Sequence, residues 1–177
     1  IANLAIFEIF LRKCKGFWLE KSLNLEKKQQ FEKNCLIFYK NKTFERVGLF
    51  YKNFNQQDDA VIINGELMPS LKDLLNQIDW KWMSKGIAGR FHGDFHFENI
   101  LFSMSDEKFT FLDWRQDFAG SLSIGDVYYD LAKLMHGLIV NHGIIANNHY
   151  TASWKDGEIK FDLHRKQCLV DCEQRLC

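Results

Sequence analysis

The stretch from Gly89 to Arg115 constrains the fold more than any other part of the chain, because the spacing of its apolar residues changes there. Asn99–Ser103 and Phe109–Asp113 are short runs rich in Phe, Ile and Leu, and the polar, turn-prone segment Met104–Lys108 lies between them. Such a pattern predicts a β-hairpin. Asp94 and Asn99 lie in the loop just before the first strand, and Asp113 ends the second. A hairpin returns the end of one strand beside the start of the other, so Asp94, Asn99 and Asp113 are expected to converge at one end of it.

Elsewhere the pattern is helical. Phe31, Cys35 and Phe38 share one face of a helix beginning near Leu25. Asn41 and Lys42 then read as a short connection, and Thr43 as the cap of a second helix bearing Val47, Phe50, Tyr51 and Phe54. Asn55 to Pro69, which holds the only proline, reads as a loop. Ser70, three residues before Asp73, marks a helix start, and Leu71, Leu74, Leu75 and Ile78 keep helical spacing after it. Beyond Gly125, with Asp126 as N-cap, Val127, Leu131, Leu134, Met135 and Leu138 line one helix face. Gly157 sits in a turn before a short strand, Glu158–Leu163, and the C-terminus is helical. The expected fold is α+β and mostly helical, in a single domain over residues 1–177.

Lys plus Arg equals Asp plus Glu at 23 each, for a net charge of zero. That balance argues against a nucleic-acid partner and a polybasic membrane-surface role. No apolar run reaches the roughly 18 residues of a membrane span. Ile1–Leu11 is apolar but interrupted by Asn3 and Glu8, and it lacks the basic start and small-residue cleavage site of a signal peptide. Five scattered cysteines suit reduced thiols in a cytoplasmic protein better than a disulfide framework. His164, Cys168 and Cys172 recur at four-residue spacing, which reads as one partly buried helix face rather than a zinc site.

The chemistry lies in Phe91-His92-Gly93-Asp94-Phe95-His96-Phe97-Glu98-Asn99-Ile100-Leu101, followed by Phe111-Leu112-Asp113-Trp114-Arg115. Phosphoryl transfer passes through a loose, anionic transition state, so a protein mainly positions the reactants and neutralises charge. Asn99 and Asp113 offer the oxygen ligands a hard cation such as magnesium requires. Asp94 is placed to orient an attacking hydroxyl and accept its proton.

The sequence resembles the aminoglycoside phosphotransferase and choline kinase family, distant relatives of protein kinases. An Asp, four residues and an Asn is the kinase catalytic-loop spacing, and Asp94 to Asn99 keeps it. His92-Gly93-Asp94 looks like the opening of the family's catalytic loop. Asp113-Trp114-Arg115 stands where kinases carry the metal-binding Asp-Phe-Gly, and Gly125-Asp126-Val127-Tyr128-Tyr129-Asp130-Leu131-Ala132 is similar to a helix start of the family. The resemblance implies the C-terminal lobe of a protein-kinase-like fold, with a small β-hairpin carrying the catalytic loop. It implies Asp94 as catalytic base and Asn99 and Asp113 as ligands of Mg2+, with ATP or GTP as phosphoryl donor. His96 is a candidate for the acceptor pocket. Arg115 is a candidate for phosphate or substrate contact, a surface salt bridge being the alternative. His92 and Asp130 are expected to support the loop structurally.

The family's phosphate-covering loop, strand lysine and helix glutamate find no counterpart before Asp94, where residues 1–88 read as helices. With Ile1 as first residue, the expectation is a fragment lacking the N-terminal nucleotide lobe and inactive alone. The partners implied are a nucleotide and a small-molecule hydroxyl acceptor. The resemblance favours a sugar or related metabolite of bacterial surface-polysaccharide biosynthesis, with choline-like amino alcohols and aminoglycosides as alternatives. A kinase-like binding module without catalysis is the reading of a different class.

Overall fold

The computed structural model describes residues 3–177. The expectation attached to Ile1 lies outside those residues. The fold is mixed α and β, about half of it helical.

Helix α1 (Leu4–Phe17) starts where the Asn3 side chain accepts the Ile6 amide at 3.0 Å, and it buries Phe7, Phe10, Cys14 and Phe17. Helix α2 (Leu25–Phe54) is a single 30-residue helix. It corrects the expected break at Asn41 and Lys42: neither residue lacks an amide or clashes with the preceding turn, so neither stops a helix as proline would. Thr43 is accordingly an interior residue rather than a cap. The helix stops at Asn55, which turns left-handed with φ 49°.

The Asn55–Pro69 loop is also corrected. It contains β1 (Val61–Ile63) and β2 (Glu66–Met68), which form an antiparallel hairpin. Asn64 and Gly65 make its two-residue turn, with φ of 49° and 84°. Both central residues at positive φ are the requirement of a type I′ turn, which Asn-Gly meets. The described residues up to 88, expected to be helical, are therefore not purely so.

Helix α3 (Leu71–Asn76) begins at Ser70, whose Oγ accepts the Asp73 amide at 3.1 Å, and it stops short of Ile78. Helix α4 (Trp80–Met83) follows, with Trp80 packed on Phe44 of α2 at a ring separation of 5.9 Å. Strand β3 (Ala88–Gly89) pairs with the later β6 (Gly125–Asp126). Between them β4 (Ile100–Ser103) and β5 (Lys108–Phe111) form the expected hairpin, with Ile100 opposite Phe111 and Ser103 opposite Lys108.

Helices α5 (Val127–Ile139) and α6 (His142–Ala146) come next. Strands β7 (Tyr150–Lys155) and β8 (Glu158–Leu163) make a second long hairpin, and β8 pairs in parallel with β1. The resulting four-stranded sheet has the order β2-β1-β8-β7. Helix α7 (Gln167–Leu176) closes the chain. It starts three residues after His164, so His164 does not share a helix face with Cys168 and Cys172; its Nε2 lies 3.5 Å from Asp162 instead.

Two apolar clusters hold these elements. One joins Phe7, Phe10 and Cys14 of α1, Phe95, Leu134 and Leu138 of α5, and Leu169 and Cys172 of α7. The other joins Phe31 and Cys35 of α2 with Ala88, Phe91 and Phe118. Phe91 thus enters one cluster and Phe95 the other, which pins the intervening His92-Gly93-Asp94 at both ends. Burying a Phe side chain contributes about 1.5–3 kcal/mol, so the loop is fixed by packing as well as by its polar contacts.

Candidate functional site

The loop from Phe91 to Asn99 is built on a buried carboxylate. Asp130, on the first turn of α5, has no exposed surface. Its Oδ2 accepts the His92 amide at 2.7 Å and the Trp18 Nε1–H at 3.1 Å, while Oδ1 accepts the Gly93 amide at 2.8 Å. Burial pushes the Asp130 carboxyl pKa up, and the three N–H donors pull against that rise.

Gly93 sits at φ +83°, and a Cβ there would lie 2.5 Å from Cβ of Arg115. The loop and the segment after β5 therefore touch through a site only glycine fits. The Arg115 amide donates to the His92 carbonyl at 2.9 Å, which joins the same two segments through the backbone.

His92 is fully buried, its ring 5.0 Å from Trp114 and 5.1 Å from Phe95. Nδ1 accepts the Asp94 amide at 3.3 Å, and Nε2 makes no hydrogen bond among the described residues. Burial lowers its pKa, with Asp130 and the Leu112 backbone pulling the other way. A neutral ring accepting at Nδ1 carries its proton on Nε2.

Asp94 projects from this support, one-third exposed. The Lys133 ammonium lies 2.8 Å from its Oδ1, and His96 Nε2 lies 3.2 Å from its Oδ2. Burial pushes the Asp94 carboxyl up, but Lys133 and His96 together outweigh it and hold the pKa below the ordinary carboxylate value. His96 bridges onward, its Nδ1 2.8 Å from Glu98 Oε2. Burial also pushes Glu98 up, and its own amide, His96 and the His142 backbone bring it below the ordinary value.

Asn99 uses its amide nitrogen toward the loop: Nδ2 donates to the Asp94 carbonyl at 3.0 Å and lies 3.5 Å from Asp94 Oδ2 and 3.3 Å from His96 Nε2. Its Oδ1 has no hydrogen bond among the described residues and stays free to bind a cation. The Leu112 amide donates to the Asn99 carbonyl at 2.8 Å, so the chain passes Asn99 one residue before Asp113. Asp113 is exposed, carries φ 56°, and makes no ion pair or side-chain hydrogen bond among the described residues. The left-handed conformation is one that Asp tolerates better than most residues.

The structure thus brings Asp94, His96 and Asn99 into direct contact and sets Asp113 on the neighbouring segment. Arg115 contacts the loop through its backbone and Cβ, and its guanidinium has no ion pair among the described residues, so the salt-bridge alternative has no partner here. Sequence reasoning missed Lys133, Glu98 and Trp18. Lys133 had a signal: it lies three residues after Asp130 on α5, a spacing that puts both on one side of the helix. Trp18, 112 residues from Asp130, had none.

A cavity of about 240 Å³ opens beside Glu98, lined also by Asn141, Asn147, His149, His164 and Lys166. Among the described residues no three His, Cys, Asp or Glu side chains cluster as a metal cage. Magnesium requires no such cage, since it keeps waters and takes one or two protein oxygens besides those of phosphate. Asn99 Oδ1 and the Asp113 carboxylate fit that donor set.

A buried helix carboxylate carries a loop with an Asp and an Asn five residues apart in it and a further Asp on the next segment, and the family that the sequence matches makes the chain a phosphotransferase of the small-molecule kinase type. Residues 41–165 match the model of the phosphotransferase enzyme family, APH, and the chain belongs to that family. It is an enzyme that transfers phosphate to a hydroxyl acceptor. The match spans Asp94, Asn99, Asp113 and Asp130. No curated protein matches the chain, and no solved structure does. Among the described residues no helix is long and apolar enough to cross a membrane.

Proposed function

We propose that this chain is the C-terminal lobe of a protein-kinase-like fold, a single domain over residues 1–177, and that it transfers the γ-phosphoryl group of ATP or GTP to a hydroxyl of a sugar or related metabolite. The supporting observation is the state of Asp94: a partly exposed carboxylate, kept ionised by its neighbours, on a loop fixed by Asp130. An ionised carboxylate at this position orients the acceptor hydroxyl and takes its proton as the new O–P bond forms. The bond from the γ-phosphorus to the β-bridging oxygen breaks in the same displacement, and the nucleoside diphosphate leaves with that electron pair.

Asn99 and Asp113 would hold Mg2+, which when bound neutralises phosphate oxygens and so stabilises the anionic transition state. His96 keeps Asp94 oriented and stands at the acceptor side, with Glu98 behind it. Arg115 offers a fork of donors suited to phosphate. His92, neutral and buried, fills the space under the loop.

The cavity beside Glu98 has a mixed lining, and its polar side chains favour a hydroxyl-rich acceptor. Its Asn and His side chains supply hydrogen bonds, whereas choline recognition calls for several aromatic faces around a cation. Phe97 is the one aromatic residue of that lining apart from its histidines.

The test is magnesium-dependent nucleotide turnover by the full-length protein against panels of sugars, amino alcohols and aminoglycosides. Asp94→Asn is expected to lower turnover about 10²–10⁴-fold, the range of general-base catalysis. Near-normal turnover by Asp94→Asn would sink the assigned role. Absence of both turnover and nucleotide binding in the wild type would favour a binding module.

A further inference from the structure

Both oxygens of the Asp94 carboxylate have partners, and those partners come from different places. His96 and Asn99, which meet Oδ2, belong to the same loop. Lys133 comes from α5, one turn beyond the Asp130 that holds the loop amides of His92 and Gly93. Helix α5 therefore grips three consecutive loop residues: the backbone of two and the side chain of the third.

A carboxylate torsion is broad and roughly two-fold, so a carboxylate on a loop rotates freely unless something holds it. Catalysis by a base depends on its facing the acceptor within a narrow range of angle and distance. His96 and Asn99 both meet Oδ2, which leaves rotation about that one oxygen open. A second contact on Oδ1, delivered from a rigid helix, closes it.

We propose that Lys133 is a positioning residue of phosphoryl transfer, its ammonium fixing the Asp94 carboxylate in the orientation that receives the acceptor hydroxyl. The proposal rests on the reading of Asp94 as the base. Both side chains are about one-third exposed, 32% for Lys133 and 34% for Asp94. Exposed pairs of that kind contribute little to stability, so the contact's contribution is expected in the rate and not in the fold.

The experiment is a double-mutant cycle in the full-length protein, with Lys133→Met, Asp94→Asn and the combined variant, and with Lys133→Gln as a second neutral replacement. Misplacing a catalytic group by about 1 Å costs up to roughly 10²-fold, so Lys133→Met is expected to lower kcat by about 10–100-fold with both KM values within about two-fold. Thermal stability is expected to stay at the wild-type value. In the Asp94→Asn background, removing Lys133 is expected to cost nothing further, because a residue that acts through another is non-additive with it. Lys133→Arg, which keeps the charge, is expected to recover most of the loss.

Wild-type kcat in both neutral variants would overturn the proposal. So would a loss that multiplies with that of Asp94→Asn and falls on the nucleotide KM, which marks a direct phosphate contact. An Asp94→Asn enzyme at full rate would instead overturn the reading of Asp94 on which the proposal stands. A crippled Asp94→Asn beside an unaffected Lys133→Met would leave that reading intact and remove only the role of Lys133.

Discussion

Oδ2 of Asp130 accepts the amide of His92 at 2.7 Å across 38 residues of chain. With Gly93 on its other oxygen and Trp18 beside them, this fully buried carboxylate satisfies three donors. Asp130→Asn keeps the shape but turns one oxygen into a donor that faces an amide N–H. Leaving a buried donor unsatisfied costs about 1–3 kcal/mol, so Asp130→Asn is expected to lower unfolding free energy by about 2–3 kcal/mol. Denaturant titration measures it. A midpoint equal to that of the wild type would mean that the loop amides find other partners.

Gly93 offers a comparison within the same chain. It shares a positive φ near +83° with Gly65, but a Cβ on Gly93 meets Cβ of Arg115 at 2.5 Å and Cε2 of Phe91 at 3.1 Å, whereas nothing lies within 4 Å of one on Gly65. Gly65→Ala therefore bears backbone strain alone, about 1 kcal/mol. Gly93→Ala bears strain and collision, and about 2–4 kcal/mol is expected from the two together. Thermal melts of both variants separate the contributions, and equal losses would rule out the collision.

Much of this fold was legible in sequence because local period and local chemistry agreed. The β4–β5 hairpin follows from two Phe-rich runs around a polar turn, and α5 from an apolar stripe begun by Asp126. Asn64-Gly65 carried a hairpin signal equally strong, but its flanking runs are three residues each and half-exposed, too short to show alternation. Strand β7 is exposed at every position, so burial left no period in it. The continuity of α2 through Asn41-Lys42-Thr43 was hidden because residues of middling propensity resemble a connection when read locally. At the candidate site the spacing of Asp94 and Asn99 was visible as a motif. The approach of Lys133 was signalled only by its place three residues after Asp130, because the contact itself depends on Asp130 docking α5 against the loop.

Asp126 gives a pH dependence of defined sign. It is 1% exposed, accepting the Tyr39 hydroxyl at 2.6 Å, the Ile87 amide at 3.0 Å and the Tyr128 amide at 3.1 Å. Burial raises its pKa above the ordinary value of 3.8, and the three donors only partly offset that. A group whose folded pKa is raised binds its proton more tightly when folded. Its contribution to stability is fully present below the ordinary value and is lost as pH rises through the folded one. Asp126→Asn has no such titration. The stability advantage of wild type over this variant is therefore expected to be largest below the ordinary value of 3.8 and to shrink as pH rises through the folded pKa. Melting temperatures of the pair across that window test it, and an advantage that grows with pH would reverse the sign.

Asp113 separates a conformational demand from a chemical one. Its φ of 56° suits Asp or Asn, whose short polar side chains tolerate the left-handed region, and disfavours Ala by about 1–2 kcal/mol. Its carboxylate makes no ion pair or hydrogen bond among the described residues, so folding does not require the charge. Asp113→Asn is expected to melt with the wild type, while Asp113→Ala melts lower. If the carboxylate is a magnesium ligand, Asp113→Asn also needs more magnesium, because a neutral oxygen binds a hard cation less well than an anionic one. Turnover measured against magnesium concentration, beside the melts, distinguishes the two. An Asp113→Asn enzyme with wild-type magnesium dependence would remove Asp113 from the cation site and leave its backbone conformation as its contribution.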